Sequence, residues 1–232
     1  MTSLAVVIVS WNVRDLLARC LESLFTELDS TPIDPRVVVV DNASHDGSVE
    51  MIRSRFPRVE LIACDDNLGF AGGNNVGLRG LGFVPHPHPG LKATPPPLPT
   101  ELLVGRGGGD GGGGEVLLLN PDTEVQPGAI ATLLAVIQSR RDVAVVTARL
   151  SYGDGSFQHS AFHFPDLAQL VIDLFPAPAR LYESRLNGRY PRRLYDSGQP
   201  FEIDHPLGAV MLVRAAAIRQ VGPFDEGFAL YC

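Results

Sequence analysis

The chain has 232 residues, 45% hydrophobic and 19% charged, with a formal net charge of -7. This composition supports one large packed domain or two small ones, and its acidic balance argues against a nucleic-acid sheath, which needs basic stripes. Cys20, Cys64 and Cys232 form no CxxC and no zinc spacing, a usage that fits a reducing compartment.

The opening, MTSLAVVIVSWN, has no basic n-region, and its apolar run from Leu4 to Val9 is too short for a signal or a membrane span. The expected location is cytoplasmic, with or without peripheral association at the inner face of the membrane. Residues 4–9 are a continuous β-branched run, which predicts a strand buried on both faces. Val13, Leu16, Leu17, Cys20, Leu21, Leu24, Phe25 and Leu28 follow at helical spacing. VVVV at 37–40 predicts a second strand ending at Asp41. NASHDGS then supplies turn and cap residues, with Asp46 and Ser44 read as capping groups. Val49, Ile52 and Phe56 mark a second helix, and VELIA at 59–63 a third strand. This cadence means βαβ units and a parallel sheet.

NLGFAGGNNVGLRG at 67–80 reads as a glycine-rich loop leading into a short helix. It has no GxGxxG and no GK[ST], so neither a dinucleotide nor a P-loop fingerprint is present. Its glycines would let the chain pass close to a ligand. Residues 81–114 are proline-rich and then glycine-rich, which predicts a flexible insertion. His86 and His88 fall inside it. EVLLLN at 115–120 predicts a fourth strand, and Ile130, Leu133, Leu134 and Ile137 a helix with Pro127 near its start. Residues 143–147 predict a fifth strand. Between 148 and 203 the alternation fails, and irregular structure with one helix near 166–175 is expected. AVMLV at 209–213 predicts another strand, and RAAAIRQVG a short helix closed by Gly222.

In an open α/β sheet, ligands bind at the carboxyl ends of the strands. Here those ends are polar: Ser10-Trp11-Asn12, Asp41-Asn42, Asp65-Asp66-Asn67 and Asn120-Pro121-Asp122. Such a rim would repel a bare phosphate but attract a divalent cation bound to a diphosphate. Magnesium and manganese often take one or two protein carboxylates, with phosphate and water completing the shell. Asp122 is placed to be that ligand. Asn120 could bond a ribose hydroxyl, with Pro121 fixing the turn. Asp41 could accept the imide N–H of uracil or thymine, which cytosine lacks. The competing reading makes Asp41 and Asp122 ordinary turn and cap residues. Trp11, the sole tryptophan, is open to packing or stacking. His159 and His163 flank an aromatic stretch, which suits a pocket wall.

The phrases VVIVSWNVRDLLARCLESL, VVVVDNASHDGSVEMI, NLGFAGGNNVGLR and VLLLNPDTEVQPGAI, and more weakly IDHPLGAVMLVRAAAIRQVGPFDEGFALY, resemble family 2 inverting glycosyltransferases of the rhamnosyltransferase-like kind. The resemblance implies an α/β fold of GT-A type. Its central sheet would be mixed and mostly parallel, flanked by helices, with a Rossmann-like nucleotide-binding half. It implies one domain over 1–232, C-terminally incomplete and interrupted by 81–114. It also implies a nucleotide-sugar donor, a divalent cation (magnesium or manganese), and transfer with inversion to a glycan or lipid-linked acceptor of cell-envelope polysaccharide. The donor would be a dTDP- or UDP-sugar, dTDP-rhamnose among them. Carried over residue by residue, Ser10, Asn12, Asp41, Asn67, Asn74 and Asn120 fall in donor-binding positions, and Asp122 in the metal position of the DxD-like motif. The family's general base follows a phrase like FDEGF, so it is expected beyond Cys232. Asp225 and Glu226 match the structural part of that phrase, and Asp204 and His205 are candidates for the acceptor side. Without the base, the alternative is a non-catalytic nucleotide-sugar-binding remnant. A sugar-1-phosphate nucleotidylyltransferase ranks last, because SWNVRDLL is no phosphate loop.

Overall fold

A computed structural model describes residues 2–84, 114–174 and 187–227. The bulk of the 81–114 insertion, with His86 and His88, lies outside the described residues, as does Cys232. The chain forms two compact units. The first holds residues up to Val146 and from Leu212 onward, and the second Thr147–Met211.

The first unit is built on a six-stranded sheet. Its strands are β1 (Thr2–Ser10), β2 (Ile33–Asp41), β3 (Val59–Ala63), β4 (Glu115–Leu119), β5 (Val145–Val146) and β10 (Val210–Arg214). Their order is β3-β2-β1-β4-β10-β5. β1, β2, β3 and β4 run parallel, whereas β10 and β5 pair antiparallel. The fifth strand is thus shorter than its apolar run predicts. Val145 and Val146 pair only with Val213 and Leu212.

Residues Leu4 to Ile8, Val37 to Val40 and Val116 to Leu119 are all buried, as expected for strands covered on both faces. Four helices accompany them: α1 (Arg14–Ser30), α2 (Ser48–Arg55), α3 (Gly69–Gly80) and α4 (Ala129–Ser139). β1 to β3 step one way across the sheet, and β4 returns to the other side of β1. Right-handed crossovers therefore place α1 and α2 on one face and α3 on the other. The packing agrees, since α1 meets α2 and α4 while α3 lies on β1 and β2. The reversal between β1 and β4 is a topological switch point, where such sheets open a crevice at their carboxyl edge.

The 67–80 segment corrects the sequence reading, because the glycine run itself is helical from Gly69. Gly73 and Gly77 let this helix pack closely on the sheet. A Cβ at Gly77 would stand 2.5 Å from Val7 Cγ1, and one at Gly73 2.5 Å from Val9 Cγ1. The helix backbone lies so close to β1 that only hydrogen fits. Asn75, buried in the same helix, gives Nδ2 to the Phe224 carbonyl (2.9 Å) and to Glu226 Oε1 (2.8 Å) and accepts the Phe224 amide at 2.8 Å. Arg79 adds a 3.1 Å bond to Glu226. α3 thereby holds the 224–226 segment. The short helix α7 (Ala215–Val221) is closed by Gly222, as expected.

The second unit carries two small antiparallel pairs, β6 (Leu150–Ser151) with β7 (Phe157–Gln158) and β8 (Ala161–Phe162) with β9 (His205–Pro206). It also holds α5 (Leu167–Leu174), at the position predicted, and α6 (Arg192–Asp196). Aromatic edges knit it together: Tyr195 meets Phe157 and Phe201, with ring centres 4.9 and 5.1 Å apart. Among the described residues no helix is long and apolar enough to cross a membrane.

Candidate nucleotide-sugar site

The register fixes which groups share the carboxyl edge. Ser10 pairs with Asp41, and Asp41 with Ala63. Ile8 pairs with Leu119, so Asn120 begins the turn beside the end of β1. Ser10, Asp41 and Asn120 therefore reach one rim, flanking the switch point.

At the β1–β2 end the polar groups are buried. Ser10 is 0% exposed, Asp41 1% and Asn42 2%. Asp41 Oδ2 accepts the Ser44 amide at 2.9 Å, and Asn42 Nδ2 donates to the Gly69 carbonyl at 3.0 Å. Yet Ser10 Oγ, Asp41 Oδ1 and Asn42 Oδ1 are buried with no hydrogen-bond partner among the described residues. Leaving one such group unpaired costs about 1–3 kcal/mol. The nearby Cys64 thiol is pushed up to about 11 by burial and by the charges of Asp41 and Asp65. Asn42 was not singled out from the sequence. Its signal was its place beside Asp41 at a buried strand end.

Other predicted residues organise the surrounding backbone. Asn12 sits at φ 52, in the left-handed region. Its amide donates to Ser44 Oγ (2.9 Å), and its Oδ1 accepts the His45 amide (2.8 Å). Asp46 is not the N-cap of α2, which is Gly47, but stands just before it: Oδ1 accepts the Ser48 amide at 3.0 Å and Oδ2 the Arg14 amide at 2.8 Å, tying the starts of α2 and α1 together. Burial would raise its carboxyl, but the bonds from Ser48 and from the Arg14 amide outweigh it and hold the group below the usual range. Asn67 Oδ1 accepts the Gly69 amide (2.9 Å) at the head of α3. Buried Asn74 gives Nδ2 to the Phe70 carbonyl (2.9 Å). Trp11 is 54% exposed, so it does not belong to the core.

At the β4 end the arrangement is open. The Asn120 carbonyl accepts the Thr123 hydroxyl at 2.8 Å, closing a turn with Asp122 at its exposed tip. No hydrogen bond or ion pair holds the Asp122 carboxylate among the described residues. Neighbouring Glu124 pairs with Arg19 at 3.1 Å. Among the described residues no group of three or more His, Cys, Asp or Glu could hold a metal ion. This donor set fits a hard cation gripped together with a diphosphate rather than a protein cage.

In the second unit, His163 Nδ1 lies 3.0 Å from Asp204 Oδ2, and its ring lies 3.9 Å from that of Tyr190. The hydrogen bond with His163 and the Phe164 amide hold the Asp204 carboxyl below its ordinary range. His205 stacks with Phe162 and Phe164. His159 meets Phe157 edge-on at 4.8 Å. These histidines thus line aromatic contacts.

Residues 5–80, which contain the Ser10, Asp41 and Asn74 positions, match the family model described as Glycosyl transferase family 2. Through that segment the chain is similar to glycosyltransferase family 2. The N-acetylglucosaminyl-diphospho-decaprenol L-rhamnosyltransferase of Mycobacterium tuberculosis, in strains CDC 1551 / Oshkosh and ATCC 25618 / H37Rv, is 27% identical over 228 residues, 98% of this chain. The chain spans 66% of that relative's length. Among solved structures, S. aureus TarS 1-349 superposes with a TM-score of 0.51 at 16% identity, over 97% of this chain and 51% of that one. A structure titled S. aureus TarS gives 0.51 at 15%, over 98% of this chain and 31% of that one. The shared architecture is the GT-A fold, with a mixed, mostly parallel sheet. In this chain the acidic residues of the 224–226 phrase make structural contacts. Glu226 is committed to Arg79 and Asn75, and Asp225 Oδ1 accepts the Gly227 amide at 2.8 Å.

Proposed function

We propose that this chain binds a uridine- or thymidine-diphosphate sugar at the switch point of its sheet and belongs to an inverting sugar transferase. The observation that carries the proposal is the trio of buried, unpartnered oxygens at Ser10, Asp41 and Asn42. Three buried oxygens left unpaired at one end of the sheet would destabilise the fold, and a ligand that donates to the Asp41 and Asn42 oxygens and pairs with the Ser10 hydroxyl would satisfy them. Asp41 Oδ1 takes the imide N–H of the pyrimidine. Ser10 and Asn42 line the same end, and Asn120 faces the ribose. Asn12, Asn67 and Asn74 shape the loops that border the donor.

Asp122 holds the divalent cation, magnesium or manganese. When bound, that ion supplies positive charge to the leaving diphosphate. Asp122 is exposed and supplies a single carboxylate, so it would hold the ion together with the diphosphate. The name of the rhamnosyltransferase relative supports a rhamnosyl donor and a polyprenyl-diphosphate-linked acceptor. Calorimetry with UDP and with dTDP, each with manganese or with EDTA, tests the reading. We expect binding in both conditions and tighter binding with manganese. Asp122→Ala should weaken the manganese-dependent affinity at least about tenfold and leave the EDTA value unchanged. Equal UDP and CDP affinity in the parent chain would sink the base assignment.

A further inference from the structure

One face of α1 runs along the turn that carries Asp122. Cys20 Sγ donates to the Asn120 carbonyl (3.7 Å) and lies 3.8 Å from Thr123 Oγ1. Three residues on, Ser23 Oγ accepts the Val125 amide at 2.9 Å. Four further on, Glu27 Oε2 accepts the Gly128 amide at 2.9 Å. Positions 20, 23 and 27 share one stripe of a helix, so their three contacts step along the loop in the same order. The loop is pinned at Asn120, Thr123, Val125 and Gly128, while Asp122 projects unheld between the first two pins.

Glu27 is the unexpected member. An acidic residue on an amphipathic helix usually faces water, yet Glu27 is 5% exposed and its Oε1 is buried with no hydrogen-bond partner among the described residues. Helix packing alone would put an apolar residue there. Gly128 is the N-cap of α4, where a carboxylate is favoured by the partial positive charge of the helix start. Cys20 is no nucleophile: burial, together with the charges of Asp122 and Glu124, pushes its thiol up to about 12 despite the hydrogen bond with Thr123. Its role is contact.

We infer that Glu27, assisted by Ser23 and Cys20, is a positioning residue for the metal-binding turn, fixing where Asp122 meets the cation. The inference rests on the reading of Asp122 given above. Residues that orient a metal ligand through a hydrogen bond typically change metal affinity about 10–100-fold when removed.

The test uses the full chain, with Glu27→Ala, Glu27→Gln, Ser23→Ala and Asp122→Ala compared in two measurements. The first is amide hydrogen exchange over 120–128 without metal or nucleotide. The second is UDP calorimetry with manganese and with EDTA. We expect Glu27→Ala to speed exchange at Val125 and Gly128 and to weaken manganese-dependent UDP binding about tenfold. The EDTA value should stay unchanged. Glu27→Gln keeps an acceptor oxygen and should restore most of both. Ser23→Ala deletes a single acceptor and should give a smaller shift in the same direction, which keeps the test open if Glu27→Ala does not fold. Unchanged exchange in both Glu27→Ala and Ser23→Ala overturns the inference. So does faster exchange with unchanged manganese dependence in a chain where Asp122→Ala abolishes that dependence. If Asp122→Ala has no effect, the metal reading has failed, and the exchange data alone decide whether α1 sets the turn.

Discussion

The two ends of the rim solve opposite problems. At the β1–β2 end, Ser10, Asp41 and Asn42 are buried, each with an oxygen unpartnered among the described residues. At the β4 end, Asp122 stands exposed on a turn, and the order lies in the backbone beneath it. A planar base is recognised by direction, so rigid acceptors suit it, and their desolvation is offset only when the right donor arrives. A hydrated cation with several exchangeable ligands tolerates a mobile carboxylate, provided the carboxylate's base is set. The difference suggests that base selectivity and metal dependence are separable properties of this fold.

Asp41→Asn attacks the rigid end and should give the largest effect. Replacing a charged acceptor removes a hydrogen bond worth about 1.5–3 kcal/mol, which corresponds to UDP binding weaker by about 10- to 100-fold. The loss should persist in EDTA, unlike that of Asp122→Ala. It should also narrow the preference for UDP over CDP, because cytosine has no imide proton to offer. Calorimetry with the two nucleotides decides the point. A loss seen only with manganese would merge the two ends into one site and end the comparison.

Gly73 and Gly77 probe what holds the rigid end in place. An alanine at either would meet a valine methyl of β1 at 2.5 Å. Overpacking of this kind costs about 1–3 kcal/mol, against a helix-propensity gain near 1 kcal/mol. Both variants should therefore melt lower than the parent in thermal denaturation. They should differ in binding. The Gly73 Cβ would also stand 3.1 Å from Asn42 Nδ2, whereas the Gly77 Cβ meets only Val7 and Val40. Gly73→Ala should weaken UDP binding, and Gly77→Ala should leave it near the parent value. Equal binding losses in the two would mean that helix position in general, and not Asn42, sets the site.

The alternation of β-branched runs with helical stripes was legible because burial imposes those periods locally. α1, α2, β1 to β4 and α4 follow it within a few residues. The 67–80 segment was harder, because glycine and asparagine disfavour helices and the force that makes it one is contact with β1. Glu27 was hidden for a similar reason. The stripe of Leu24 and Leu28 was plain, but the carboxylate between them is explained only by Gly128, 101 residues away. Asn75 likewise finds its partner 149 residues on. The strand-end residues Ser10, Asp41, Asn120 and Asp122 could be named in advance, because parallel pairing brings carboxyl ends together. That Asp41 is sealed and Asp122 open could not be, since it depends on how α3 and α1 close over the edge.

The opposite end of β4 gives the smallest prediction and a control. Glu115 opens that strand at the amino edge, 5% exposed, with Oε2 unpartnered among the described residues. Burial raises its carboxyl above the ordinary value of 4.5, and the Arg214 charge opposes this without cancelling it. The folded chain therefore binds this proton more tightly than the unfolded chain. Such a group favours folding most when protonated, and its contribution is lost as pH rises through the folded pKa. Glu115→Gln should melt higher than the parent near neutral pH, with the gap closing as the pH falls towards 4.5. At the carboxyl edge the buried, unpartnered Oδ1 of Asp41 is proposed to be relieved by a ligand. Saturating UDP should therefore raise the melting temperature of the parent and of Glu115→Gln equally, and that of Asp41→Asn much less. If UDP instead narrowed the gap between Glu115→Gln and the parent, a ligand would reach the amino edge as well, and burial alone would no longer distinguish the two ends of the sheet.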